Sequence, residues 1–191
     1  MKTKKVKGFT LIELIVVIAI IGVLAAILVP SMLGYVKKSK IQNANSAAAT
    51  YLKACNSALT ELDELDYVYN GTSITITGNS AAKITDGVAD AAELFDYMKA
   101  YADISATTLV KIEIRDGVAV AAAAKSGKYF GTSPSSFTNK TYDKIVKGDT
   151  DDAKLTAAFK AAVDKYAEKH PESSNSGGTN TPPADTPAQE S

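Results

Sequence analysis

Twenty-one consecutive residues from Phe9 to Val29 read FTLIELIVVIAIIGVLAAILV, and Glu13 is the one charged residue among them. As a helix rising 1.5 Å per residue the run spans roughly 30 Å, the thickness of a bilayer's hydrocarbon core. It is long and apolar enough to cross a membrane. Lys2, Lys4, Lys5 and Lys7 precede it with no acidic residue among them, so the positive-inside rule holds the N-terminus in the cytoplasm and sends the remainder outward. An ordinary secretory signal is the competing reading. Its apolar core covers only about 7–15 residues before a small-residue cleavage site, and this run exceeds that, although Ala25-Ala26 mimics such a site.

Glu13 separates a plain anchor from something more specific. A carboxylate a few residues inside an apolar span costs roughly 2–4 kcal/mol unless it is paired or stays near the interface, and a passive anchor gains nothing from that cost. If the chain is cut between Gly8 and Phe9, a new ammonium appears four residues before Glu13. A carboxylate in a neighbouring copy could then neutralise it, which turns the penalty into a docking signal.

The segment Lys7-Gly8-Phe9-Thr10-Leu11-Ile12-Glu13 resembles the leader junction of type IV prepilins and type II secretion pseudopilins, a short basic leader ending in Gly before Phe-Thr-Leu-Ile-Glu. The likeness runs through the apolar stretch and covers about the first 30 of 191 residues. The resemblance implies a prepilin peptidase that cleaves after Gly8 and methylates the amine of Phe9, with Thr10 and Glu13 acting in assembly. It also implies storage in the cytoplasmic membrane, then polymerisation with copies of itself and other pilins by a pilus assembly machinery into a filament at the cell surface. Gly22 and Pro30 fall where many members carry helix-weakening residues. Pro30 lacks an N–H and crowds the carbonyl of Ala26, and Gly22 adds backbone freedom, so the stretch between them is the easiest to bend. Membrane helices also tolerate both residues for ordinary packing.

Beyond Pro30, Ile41, Ala44, Ala48, Leu52, Cys55, Leu59 and Leu62 recur at steps of three or four, the pattern of one buried helical face. The helix is expected to continue to about Asp66, with Lys37, Lys38, Lys40, Gln42, Asn45, Lys53, Glu61 and Asp63 on its watered faces. Cys55 lies on the buried stripe and reads as a small hydrophobe. Tyr67-Val68-Tyr69 and Thr72 to Thr77 read as strands joined by an Asn70-Gly71 turn. Asp90 and Glu93 introduce a short helix whose Leu94, Met98 and Tyr101 share a face. Val110, Ile112 and Ile114 alternate with Lys111 and Glu113 before Asp116-Gly117 turns the chain into Val118 to Ala124, the clearest hairpin. Residues 126–147 read as a loop with one short strand at most. Asp149, Asp151 and Asp152 lead into an amphipathic helix with Leu155, Ala158, Phe159, Ala162, Val163 and Tyr166 inward, ending near His170-Pro171. The residues that follow are rich in Pro, Ser, Thr and Gly and read as a disordered tail.

The expected architecture is α+β: a long N-terminal helix packed on a small antiparallel sheet, with a C-terminal helix and a tail. Its parts are a leader (1–8), a membrane or filament-core helix (9–30), an amphipathic helix (31–66), a head (67–170) and the tail (171–191). Many pilin heads end instead in a strand or a disulfide-closed loop. Formal net charge is zero, and with four lysines in the first eight residues the rest holds 17 basic against 21 acidic side chains. A mildly acidic body argues against nucleic-acid binding. A lone cysteine makes no internal disulfide, and one histidine, His170, makes neither a zinc site nor a catalytic base alone. The aspartates at 149–152 lack a calcium-loop spacing and suit the start of a helix. Asn70-Gly-Thr72 and Asn139-Lys-Thr141 match the glycosylation triplet but read as turns. With no phosphate loop, nucleophile elbow or metal pattern, no enzyme or cofactor is expected. The function expected is that of a structural pilus subunit. A pseudopilin of type II secretion or DNA uptake is the nearest alternative, and a single-pass membrane-anchored binding module comes from another class.

Overall fold

A computed structural model of the chain describes residues 8–67, 69, 71–78 and 91–171. Eight elements follow one another: α1 (Leu11–Glu64), β1 (Ser73–Thr77), α2 (Ala91–Tyr101), β2 (Leu109–Arg115), β3 (Val118–Ser126), β4 (Tyr129–Ser133), α3 (Tyr142–Ile145) and α4 (Asp151–Lys169). The strands form one antiparallel sheet in the order β1-β2-β3-β4. Helix α1 packs on one face with α2 against its side, sharing one core with the strands, and α4 covers the other face across β2, β3 and β4. The leader before Gly8, the Asn70 and Asp90 readings and the tail beyond Pro171 lie outside the described residues.

α1 is one continuous helix of 54 residues through both Gly22 and Pro30. Its end is a Schellman motif: Asp66 takes φ 60°, its N–H donates to Asp63 O at 3.0 Å, and Tyr67 N–H donates to Leu62 O at 2.9 Å. The buried stripe holds Ile41, Ala44, Ala48, Cys55, Leu59 and Leu62 as the periodicity requires, widened by Ala54 and Ala58, with Leu52 half-buried. Asn45 departs from the expectation of a watered face. It is buried because its amide serves as a polar tie to the sheet: Oδ1 accepts from Thr132 N–H at 2.8 Å, and Nδ2 donates to Ser135 Oγ at 3.1 Å.

Asn56 makes a second tie. β4 pairs with β3 only from Ala122 onward, so the earlier residues of β3 have no strand on that side. Asn56 Oδ1 accepts from Ala119 N–H at 2.8 Å and its Nδ2 donates to Ala119 O at 3.0 Å, replacing a ladder rung by a side-chain amide. Ala119 sits beside a bulge, since Glu113 faces Ala121 while Ile114 faces Ala119 and Val120 is the extra residue. Replacing Asn56 by Ala strands a buried N–H and C=O. The expected cost is about 2 kcal/mol, visible as a lower urea midpoint for the full chain in detergent micelles.

The Asp116-Gly117 turn has φ of 51° and 74°, the double positive φ of a type I′ hairpin. Two other expectations need correction. Tyr67 and Tyr69 lie outside any strand, and β1 pairs with β2, Ile74 opposite Ile112, rather than with a strand before it. Cross-strand burial of Ile74 against Ile112 selects that partner. Tyr101 is 43% exposed while Phe95 joins Leu94 and Met98 in the core; the Tyr101 hydroxyl instead donates to the Glu61 carboxylate on α1.

Residues 126–147 contain β4 and the single turn of α3. Phe130, Phe137 and Tyr142 are buried there with Ile41, Leu155 and Ala158 in a second core cluster beneath α4. Tyr142 Oη accepts from Phe130 N–H at 2.8 Å. At α4 the capping residue is Thr150, whose Oγ1 accepts from Ala153 N–H at 3.1 Å, and Asp151 and Asp152 occupy the first turn. His170 is the C-cap, stacked on Tyr166. With both faces covered, Ala121 to Ala124 of β3 are all buried, and their small side chains let helices approach from either side.

Candidate assembly site

The site is the exposed half of α1. Nineteen large apolar side chains from Phe9 to Val36 face outward, and none of the most apolar window is buried against the head. Each is worth roughly 1.5–3 kcal/mol on full burial, so the segment is driven strongly into lipid or against other apolar helices. Among the described residues α1 is the one helix long and apolar enough to cross a membrane. Gly22 and Gly34 have nothing within 4 Å of a notional Cβ.

Glu13 lies at the start of this surface, and its geometry adds a feature that the sequence reading overlooked. Thr10 is the N-cap of α1 and closes a capping box with Glu13. The Thr10 N–H donates to Glu13 Oε2 at 2.8 Å, Thr10 Oγ1–H donates to the same oxygen at 2.7 Å, and Glu13 N–H donates to Thr10 Oγ1 at 3.4 Å. The signal was present as Thr-x-x-Glu ahead of an apolar run. It means the carboxylate has partners inside its own chain and is held at the positive end of the helix dipole, which offsets part of its cost in an apolar setting. Phe9 precedes the cap and is 86% exposed, so its backbone nitrogen stands clear of the head. The structure thus brings Phe9, Thr10 and Glu13 together at one helix end, with Gly22 and Pro30 farther along the same helix.

Cys55 is on the opposite half of α1, fully buried, and burial pushes its thiol up to about 12. The thiolate is the reactive form, so alkylation at neutral pH is expected to require unfolding; iodoacetamide labelling followed along a denaturant titration should track the unfolding curve. The sign for stability follows. Above pH 9, where an unfolded thiol ionises, the folded chain stays protonated, so this residue lowers stability as pH rises towards 12. No group of three or more His, Cys, Asp or Glu that could hold a metal occurs among the described residues.

A lone exposed apolar helix, capped by a Thr-Glu box and carrying a small α+β head on its second half, is a pilin-like arrangement. The family model for the prokaryotic N-terminal methylation motif matches residues 3–29. A fimbrial protein of Pseudomonas aeruginosa is 44% identical over 62 residues, 32% of this chain and 40% of that protein. The type IV major alpha-pilin of Moraxella bovis is 49% identical over 55 residues, 29% of this chain and 35% of the relative. A fimbrial protein of Neisseria meningitidis is 32% identical over 122 residues, 63% of this chain and 56% of its own length. The chain thus carries the N-terminal methylation motif and is similar, chiefly over its N-terminal part, to fimbrial and type IV pilin proteins. It spans about two fifths of the length of the Pseudomonas relative. No solved structure matches it.

Proposed function

We propose that the chain is a structural subunit of a type IV pilus, held in the cytoplasmic membrane by α1 before assembly and packed through the same helix in an extracellular filament afterwards. A prepilin peptidase cleaves between Gly8 and Phe9 and methylates the new amine of Phe9. Glu13 then meets the Phe9 amine of a neighbouring copy. The single observation that carries this reading is the carboxylate at the tip of an otherwise unbroken exposed apolar surface. Oε2 takes both Thr10 donors, which leaves Oε1 for an incoming ammonium. The partners are copies of the chain, other pilins, the peptidase and the pilus assembly machinery. Leader, core helix, amphipathic helix, head and tail are the functional divisions at 1–8, 9–30, 31–66, 67–170 and 171–191.

Gly22 and Pro30 supply the give within the core helix. A pseudopilin role in secretion or DNA uptake uses the same site, and recovery of the protein in long sheared surface fibres favours the pilus. Mass spectrometry of the mature protein tests the proposal. The expected N-terminus is methylated Phe9 with the leader gone. An intact start at Met1 in mature, membrane-bound protein would support a permanent anchor for a binding module and reject the assembly reading.

A further inference from the structure

The end of the head nearest the apolar helix carries exposed cations that form no ion pair within the described residues. Lys38 and Lys40 lie on the turn of α1 just beyond Val36, the last exposed large apolar residue of the helix's first half. At 1.5 Å per residue Lys38 stands about 3 Å and Lys40 about 6 Å past it, within the depth of a headgroup layer. The head adds more cations at this level. On one side of α1, Lys38 shares a groove of about 540 Å³ with Ser135, Phe137, Thr138 and Lys140. On the other, Lys40 shares a groove with Leu33, Val36 and Lys128. Asn139 Nδ2 donates to the Gly34 carbonyl at 3.3 Å, tying the 135–140 loop to this level of the helix.

Lys38, Lys40, Lys128 and Lys140 are all exposed and none forms an ion pair with a described residue, although Lys128 Nζ lies over the Tyr129 ring at 5.6 Å. Asp143, the carboxylate that meets this stretch of α1, is occupied by Lys37. Lysines flanking the outer end of a span also work against the orientation that the leader lysines set, so their presence calls for a compensating partner. Ammonium groups beside hydroxyls, over an apolar edge of Leu33, Val36, Ile41 and Phe137, suit a phosphodiester whose acyl chains continue into the bilayer. The exposed apolar surface of α1 runs on past Val29 to Val36, and a helix that tilts to bury this longer surface brings these groups to headgroup level before any second copy arrives.

We propose that the membrane-proximal face of the head docks on anionic phospholipid headgroups, with Lys38, Lys40, Lys128 and Lys140 as the contacting cations. The face clamps the stored subunit base-down on the bilayer, and extraction into a filament must release it. The inference rests on the membrane-stored state proposed above.

The full chain is reconstituted in vesicles of phosphatidylcholine alone or mixed with phosphatidylglycerol, and lysine acetylation is followed residue by residue by mass spectrometry. Acetylation of Lys38, Lys40, Lys128 and Lys140 should slow by about threefold or more in the anionic vesicles and recover at high salt, while Lys99 and Lys160 stay unchanged. The paired variant Lys128→Gln with Lys140→Gln should return Lys38 and Lys40 toward their rates in phosphatidylcholine. Equal rates in both lipids overturn the proposal. So does slowing in both, which marks cover by a second copy, and so does slowing at Lys38 and Lys40 that survives the paired variant, which marks mere nearness to a charged surface. Failure of the protein to float with either vesicle would instead refute the membrane-stored state itself.

Discussion

Replacing Glu13 by Ala is expected to leave the protein in the membrane, with its leader removed, and to reduce filament yield by at least tenfold. The change removes an acid from an apolar span, so insertion is favoured by roughly 2–3 kcal/mol rather than impaired. It also deletes both bonds that Thr10 donates to Oε2, at a cost of about 1 kcal/mol at the helix end. Fraying of one exposed turn does not threaten the head, whose cores begin at Ile41. On the assembly proposed above, what is lost is the acceptor for a neighbour's amine. A charge pair in a water-poor setting costs roughly 3–5 kcal/mol when one partner is removed and the other stays buried, which corresponds to two or three orders of magnitude in an association constant. Glu13→Gln separates the two roles of the residue. Gln can still accept from Thr10 in a capping box but carries no charge, so it should keep the helix start and still fail to assemble. Fibres sheared from cells, quantified beside membrane-bound subunit, read the outcome. Normal fibres from Glu13→Gln would remove the ammonium from the account and leave Glu13 as a helix cap alone.

How much of this was legible in the sequence depends on how local the cause is. The apolar run, the helical stripe from Ile41 to Leu62 and the Asp116-Gly117 hairpin were readable because each is fixed by spacing within a few residues. The Thr10–Glu13 box is equally local, fixed by a Thr and a Glu three residues apart. Asn45 and Asn56 were not legible. Each is polar at a position that periodicity assigns to water or leaves undecided, and each is placed by a backbone group 63 to 87 residues away. β4 was hidden for the same reason: Tyr129 to Ser133 has no clean alternation because α1 packs on one side of it and α4 on the other. The partner of β1 was not legible either, since turn propensity cannot say which strand β1 will find.

The largest expected effect on the head comes from a residue with no side chain. Gly131 lies in β4 where that strand crosses α1, and a Cβ built there would sit 2.0 Å from the Ala44 carbonyl carbon, 2.1 Å from the Asn45 nitrogen and 2.2 Å from the Ala44 oxygen. All three are helix backbone atoms, so no rotamer change relieves the clash. To admit a methyl group, β4 and α1 must separate by more than 1 Å, which also stretches the bond from Thr132 N–H to Asn45 Oδ1 and loosens Phe130 and Ile41 beneath α4. Overpacking of a close core costs about 1–3 kcal/mol when side chains can yield, and more when only backbone can. The loss of one buried hydrogen bond adds about 1 kcal/mol. Gly131→Ala should therefore destabilise the head by about 4 kcal/mol, a large share of the total for a domain of this size. The contrast is Gly22→Ala in α1, where a Cβ meets nothing within 4 Å and the head should unfold at the wild-type midpoint. Urea titration of both variants in detergent micelles, read by Tyr fluorescence, measures the difference. Equal midpoints would mean that β4 and α1 do not touch at Gly131, and that the asparagine ties alone hold the sheet to the helix.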